Sequence, residues 1–374
     1  DAYWNTTKDL LMCIPIDETT GYSYQYQNIG QTSNKGIEIA LNYDILRTKD
    51  FTLGVSATYN YNHNNIDELA DNIIAQYGSQ WASSATTPTY DYEFREGKPV
   101  GLIRGYICDG YYTTADFNYD PATKTYTLKP GVADLGNQVG NYPSHYNLPE
   151  GQKAFPGAVK LRDLDGNGVA DTEDVADLGE ITHPHTGGFN LNMTWKDIDF
   201  SAGFAWAAGG HVYNVNSLIN MYGNKGAGAN KLEFISDCYQ IYDIQNGELV
   251  PVVEPDALDA LNTGAKYGVP YMENGTVLST FVEDASFLRL NTLTVGYTFP
   301  KAWTKKIGMQ RARVYATAGN LFTITGYSGI DPEVNADPNK STTAANTGNY
   351  PLLGMDYGTY PRARTFTFGV NITF

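Results

Sequence analysis

The chain has 374 residues, enough for one large β domain or two smaller ones, and its 25 Lys and Arg against 41 Asp and Glu leave a net charge of −16. That acidity excludes a nucleic-acid partner, whose phosphates demand a basic face. No run of about 18 apolar residues occurs, which excludes a transmembrane helix and leaves a closed β-sheet as the way for such a chain to cross a bilayer.

The 29 tyrosines and 38 scattered glycines favour strands and turns over helix bundles. Cys13, Cys108 and Cys238 are far apart with no CxxC pair, so at most one disulfide is expected and no zinc knuckle. No initiator Met and no signal-peptide pattern precedes the first strand, so export is not legible directly.

In chain order, Tyr3 to Leu10 reads as a weak strand. Ile37, Ile39, Leu41 and Tyr43 then alternate with Glu38, Ala40 and Asn42. After the polar turn Arg47 to Asp50, Phe51, Leu53, Val55, Ala57, Tyr59 and Tyr61 alternate with Thr52, Gly54, Ser56, Thr58 and Asn60. This is a hairpin of long antiparallel strands whose second face is too small and polar for a packed core and suits a wide, wet lumen. Val100 to Thr113 supplies another weak strand.

A second hairpin places Phe189, Leu191, Met193 and Trp195 across Lys196-Asp197 from Ile198, Phe200, Ala202, Phe204 and Trp206. A third runs from Leu293 to Phe299, through a turn at 300–310 with room for a short helix, and back over Arg311 to Thr323. Leu288 and Leu290 are out of phase with Leu293, which predicts a bulge near Asn291. The last strand, Arg362 to Phe374, sets Phe366, Phe368, Val370, Ile372 and Phe374 on one face and Thr365, Thr367, Gly369, Asn371 and Thr373 on the other. About nine strands follow from the period-two criterion. Between them lie long segments at 62–99, 114–185, 207–285 and 324–361, and such alternation of tight turns with long loops is how outer-membrane barrels are built.

One motif carries metal-ligand spacing. Asp163, Asp165, Asn167, Asp171 and Asp174 stand at positions one, three, five, nine and twelve of a loop with Gly168 at six and the Val169 carbonyl at seven, a spacing that fits Ca²⁺. The same residues also suit a plain Asx-turn loop. His183 and His185 flank Pro184 without a third ligand and read as loop residues. Glu254 and Asp256 are an acidic pair without catalytic context, and no nucleophile or phosphate-loop motif occurs, so no enzyme is expected. Loop aromatics Tyr77, Trp81, Tyr90, Tyr92, Tyr142, Tyr146, Tyr222, Tyr239, Tyr242, Tyr267 and Tyr271 suit loop packing and contact with a partner or ligand.

Several stretches resemble the SusC/RagA-type TonB-dependent transporters of Bacteroidetes. They are N-K-G-I-E at Asn34, P-V-G, R-G-Y and D-G-Y between Pro99 and Tyr111, D-L-D-G-N-G at Asp163, T-G-G-F-N at Thr186, F-L-R-L at Phe287 and G-Y-T-F-P at Gly296. The series ends with G-N-L-F-T-I-T at Gly319, D-P-E-V at Asp331 and Y-P-R-A-R-T-F-T-F-G-V-N-I-T-F from Tyr360. The resemblance implies an all-β fold, with residues 1–374 forming the C-terminal part of an antiparallel transmembrane barrel of about 22 strands. It implies long extracellular loops, short periplasmic turns and a bacterial outer-membrane location. It also implies uptake of a glycan or peptide with a SusD-like lipoprotein and with TonB acting through an N-terminal part absent here, and reading of Phe374 by the assembly machinery. The competing expectation is a soluble, secreted carbohydrate-binding β protein with a structural Ca²⁺ site.

Overall fold

A computed structural model of the chain describes residues 1–22, 24–28, 30–69, 92–93, 95–136, 145–221, 230–270, 277–334, 354–356 and 358–374. Its largest element is an eight-stranded antiparallel sheet in which each strand pairs with the next along the chain. The strands are β1 (Ala2–Thr7), β2 (Gly30–Arg47), β3 (Phe51–Leu69), β4 (His185–Trp195), β5 (Ile198–Ala208), β6 (Phe287–Thr298), β7 (Arg311–Thr325) and β8 (Thr365–Thr373). Among the described residues the sheet stays open, with β1 and β8 at its edges.

Register carries the sequence alternation from strand to strand. Leu41 stands opposite Ala57, Ala57 opposite Phe189, and Phe189 opposite Phe204. Farther along, Phe200 stands opposite Val295, Val295 opposite Ala316, and Ala316 opposite Phe368. Because side chains alternate with period two, this register makes one face continuously apolar from β2 to β8 and leaves hydroxyls, amides and glycines on the other. Two glycines on the polar face are fixed by close approach. A Cβ on Gly36 would stand 2.3 Å from the hydroxyl of Tyr3 directly opposite, and one on Gly369 would stand 2.3 Å from the ring of Tyr315. Each tyrosine thus lies over a glycine of the adjacent strand.

The expected bulge is present between β6 and β7. Leu290 pairs with Phe322 and Thr292 with Gly319, so Asn291 on one strand and Asn320 and Leu321 on the other drop out of register. Asn320 takes the left-handed conformation (φ 50°) that asparagine tolerates, and its amide donates to the Arg362 carbonyl at 3.1 Å. The slip returns Leu288 and Leu290 to the face of Leu293, opposite Trp206 and Phe204 of β5.

At one end the strands are joined by residues 48–50, 196–197 and 299–310. The last of these holds the helix α1 (Lys301–Thr304) and a 3-10 turn (Lys305–Ile307) closed by Gly308 at φ 77°. At the other end the chain leaves the sheet over 8–29, 70–184, 209–286 and 326–364.

Val100 to Thr113 is not a ninth wall strand. It breaks at Ile107 into Leu102–Tyr106, which pairs with Val175–Glu180 and Tyr92–Glu93, and Cys108–Tyr111, which pairs with Val159–Leu161. The cause is burial: Ile103 and Tyr106 sink into a hydrophobic core that the wall does not possess, and Leu102 is buried next to them in the chain. The segments expected as loops build that core. It includes Phe117, Tyr126, Tyr146, Phe155 and Leu161 from the β3–β4 excursion and Leu218, Tyr239, Leu258 and Phe281 from the β5–β6 excursion.

Candidate functional site

The polar face of the sheet is a continuous hydrogen-bonded surface. Thr52 meets Thr194, the Asn190 amide donates to Ser56 at 3.3 Å, Ser201 donates to Asn192 at 3.0 Å, and the Thr294 and Thr317 hydroxyls are 2.9 Å apart. Arg313 donates to both oxygens of Asp199 on β5, at 2.8 and 2.5 Å, reaching across Gly296. Nearer the excursions, the Tyr3 hydroxyl donates to the side-chain oxygen of Asn62 at 3.0 Å, and the Asn62 and Asn64 side-chain amides both donate to Asn34 Oδ1. These groups are half-buried or exposed, as polar side chains that line water are. The opposite face exposes Ile39, Leu41, Tyr43, Trp195, Val295, Phe366, Phe368, Val370, Ile372 and Phe374. An exposed apolar surface of this extent marks a lipid contact.

A family model described as "TonB dependent receptor-like, beta-barrel" matches residues 1–148. "TonB-dependent receptor P3" of Formosa agariphila is 30% identical over 374 residues, covering 100% of this chain and 32% of that protein. The chain is similar to TonB-dependent receptors over its whole length and to their β-barrel model over residues 1–148. "TonB-dependent receptor SusC" of Bacteroides thetaiotaomicron is 26% identical over 376 residues, 100% of this chain and 30% of the relative. The chain thus spans about a third of the length of the curated relatives it matches. The fold matches that of the RagAB peptide transporter at a TM-score of 0.64 and 22% identity, over 100% of this chain and 33% of that one. The chain is an all-β segment similar to these receptor barrels and resides in the bacterial outer membrane, and the relatives it matches are named as receptors.

In this barrel segment the two large excursions fold into one body above the wall. The Tyr106 amide donates to the Val277 carbonyl at 2.9 Å and the Val269 amide to the Gly157 carbonyl at 2.8 Å, while the Tyr111 hydroxyl donates to the Ala265 carbonyl at 3.0 Å and the Tyr126 hydroxyl to the Val253 carbonyl at 2.6 Å. Tyr146 and Tyr239 are buried in its core and present no surface to a ligand or lid. Tyr242 is exposed beside His145, with ring centroids 5.0 Å apart, and Tyr267 is half-buried against Phe234. Tyr77, Trp81, Tyr90, Tyr142, Tyr222 and Tyr271 lie outside the described residues, as does the side chain of Tyr92. Cys108 and Cys238 are free thiols, and burial pushes Cys238 up to about 11. His183 Nε2 lies 3.1 Å from the Ala285 carbonyl, and His185 Nδ1 lies 2.9 Å from the Tyr59 hydroxyl, so both tie strand ends.

The Asp-rich loop closes around Asp174. One Asp174 oxygen accepts from the Leu164 and Asp165 amides and the other from the Asp171 amide, and the residue is buried. Asp163 accepts from the amides of Gly166 (2.7 Å) and Gly168 (2.8 Å), whose N–H groups hold its carboxyl below the usual carboxylate range, the Gly168 bond counting most. Carboxylate oxygens of Asp163, Asp165 and Asp174 come within 4.8 Å of one another. Asn167 turns its amide to Asp165 and Asp171 while its oxygen accepts from Val169. Asp171 caps the short 3-10 turn at 172–174 through the Glu173 amide. Three converging carboxylates are the oxygen donor set a hard divalent cation takes.

A group that sequence reading left unassigned is the Arg289 cluster. Arg289 donates to Thr323 (3.0 Å), Asp331 (2.6 Å) and Glu333 (2.5 Å), and Arg362 closes the square on Asp331 and Glu333 at 3.4 and 3.2 Å. The signal available in the sequence was one arginine in a strand of otherwise uncharged residues, with acidic residues in the segment that follows the next strand.

Proposed function

We propose that this chain forms part of the wall and extracellular face of an outer-membrane importer that takes up an oligosaccharide or oligopeptide. Its partners in this reading are a SusD-like surface lipoprotein and TonB, the latter through parts of the protein outside this chain. The observation that carries it is the division of the sheet: one face apolar and exposed, the other lined by hydroxyls, amides and the Asp199–Arg313 pair. A lipid-facing outside with a polar inside is what a water-filled barrel requires. The free edges of β1 and β8 are where the remaining wall continues. The names of SusC and of the RagAB peptide transporter support import as the class of activity. A soluble carbohydrate-binding protein would have no use for a row of exposed Phe366, Phe368 and Phe374.

The test is affinity purification of the full-length protein from native membranes in mild detergent, with uptake followed for labelled oligosaccharides and oligopeptides. A surface lipoprotein should co-purify, and shortening the 207–285 excursion should weaken recovery and uptake together. A complex and an uptake rate unchanged by that deletion would overturn the lid reading. A protein that is monodisperse without detergent would overturn the membrane reading.

The Asp-rich loop belongs to the same reading. We propose that Asp163, Asp165 and Asp174 hold a Ca²⁺, with Asn167, Val169 and Asp171 shaping the loop around it. When bound, the ion would supply charge neutralisation and order to the outer body, not chemistry on a substrate.

A further inference from the structure

The turn between β6 and β7 carries an exposed apolar face with no partner in the chain. α1 and its 3-10 continuation place Trp303 and Ile307 four residues apart, hence on one face of the helical run. They are 60% and 67% exposed, although Thr304 between them is buried and fixes the run against the sheet. Lys301, Lys305 and Lys306 surround this pair, and among the described residues none of the three makes an ion pair with a carboxylate. Three cations in seven residues stand out in a chain with 41 acidic and 25 basic residues. The turn also directly continues the lipid-facing set. Tyr297 lies opposite Ile198 and Val314 in the apolar register, and its ring meets that of Phe299 edge-on at 5.2 Å. Trp195, 51% exposed with the Lys196 ammonium 5.7 Å from its ring, marks the same end of the sheet one hairpin away.

We infer that residues 301–307 form an interfacial foot. Trp303 and Ile307 enter the boundary between headgroups and acyl chains of the periplasmic leaflet, and Lys301, Lys305 and Lys306 bind the phosphates of anionic phospholipid. The physical warrant is threefold. An indole is amphipathic and settles at the headgroup level of a bilayer. A helical run with apolar residues on one face and lysines around it lies in the interface plane. The end of the wall bearing the short turns is the periplasmic end, and its apolar surface already runs up to Phe299. Each lysine near an anionic surface adds attraction, so three together give a preference large enough to read as lipid selectivity.

The experiment uses the full-length protein, reconstituted in vesicles of phosphatidylcholine alone or with phosphatidylglycerol, each lipid brominated in turn on its upper acyl carbons. Subtracting the spectrum of Trp303→Phe from that of the parent isolates the emission of Trp303. That emission should be quenched by brominated lipid, at least twofold more by brominated phosphatidylglycerol than by brominated phosphatidylcholine at equal content. A Lys301→Ser/Lys305→Ser/Lys306→Ser variant that keeps heat-modifiable mobility on gels, and so is folded, should lose the twofold preference while keeping the quenching. Emission quenched by aqueous iodide and not by bromolipid would overturn the foot. Emission shielded from both would mean that protein covers the turn, and would overturn it equally. Equal quenching by the two lipids in the parent would overturn the role given to the lysines.

Discussion

Arg289 and Asp331 form a buried ion pair at 2.6 Å, with side-chain exposures of 1% and 9%, and it ties the extracellular end of β6 to the segment that follows β7. Thr323, Glu333 and Arg362 complete the cluster. Three stretches that look unrelated in the sequence, F-L-R-L, D-P-E-V and Y-P-R-A-R, thus meet at one point and hold the β7–β8 excursion down on the wall.

From this follows the first prediction. Replacing Arg289 by Met keeps most of the volume but leaves a buried Asp331 with the Glu333 amide and, as its one remaining cation among the described residues, the more distant Arg362, and removing one partner of a buried pair costs about 3–5 kcal/mol. Arg362→Met removes a half-exposed partner and should cost less than about 1 kcal/mol. Urea unfolding of the two full-length variants in detergent micelles checks the order. Equal effects would mean that Arg289 is not the hub.

A second prediction separates the faces of β8. Phe368 is 81% exposed on the apolar face near the middle of the strand, and Thr367 is on the polar face beside Thr317. Phe368→Arg places a cation in hydrocarbon and should cost about 2–4 kcal/mol of folding stability in lipid, whereas Thr367→Arg meets water and should cost little. Refolding into vesicles across a urea series measures both. The reverse ranking would invert the wall.

The wall was legible in the sequence because alternation over nine or more residues, as in Phe51–Leu69 or Thr365–Thr373, has no cheaper explanation than a strand with two unlike faces. Even the bulge at Asn291 showed as a break in phase. The outer body was not legible. Its strands are two to six residues long, too short to show a period, and the burial of Leu102 and Ile103 on neighbouring positions erases alternation where it would be sought. Tyr146 and Tyr239 are the same residue type as the exposed Tyr242, and only the packing of two distant excursions decides which of them is core. Likewise Arg289 showed only as a lone charge in its strand, and its pairing with Asp331 and Glu333, which lie across a strand and a turn, is set by the fold.

The third prediction concerns acid. Asp163 is held below its ordinary value of 3.8 by the Gly168 and Gly166 amides. A depressed folded value means that its contribution is fully present above that ordinary value and is lost as pH falls through the lower folded one. Hydrogen exchange of the 163–174 segment in the full-length protein, corrected for intrinsic rates, should show steady protection from pH 7 down to about 4 and loss below it. Protection lost already between pH 7 and 5 would assign the loop's order to another group.

The fourth prediction is the metal itself. Asp163, Asp165 and Asp174 bring carboxylate oxygens within 4.8 Å of one another, and like charges so close repel unless a cation or a proton intervenes. N–H donation from Gly168 and Gly166 holds Asp163 below its ordinary value, so protonation of that carboxyl does not relieve the repulsion at neutral pH. A cation is then the stronger neutraliser at neutral pH. The Asp at the twelfth position already accepts three backbone amides, so its capacity for a bidentate grip is reduced, and affinity should fall at the weak end for such loops, about 0.1–1 mM. Calorimetry of the chelator-treated protein with CaCl₂ should show binding to one site in this range, and Ca²⁺ should raise exchange protection across 163–174. Asp165→Ala is the informative variant: this carboxylate accepts from Asn167 and faces Asp163 but takes none of the amides that hold Asp174, so its removal spares most of the loop's scaffold. Asp174→Ala would unravel the loop whether or not a metal binds. Binding abolished by Asp165→Ala with the apo exchange pattern intact supports the site. A titration unchanged by that variant, or no binding at millimolar Ca²⁺, leaves a loop held by Asx turns alone.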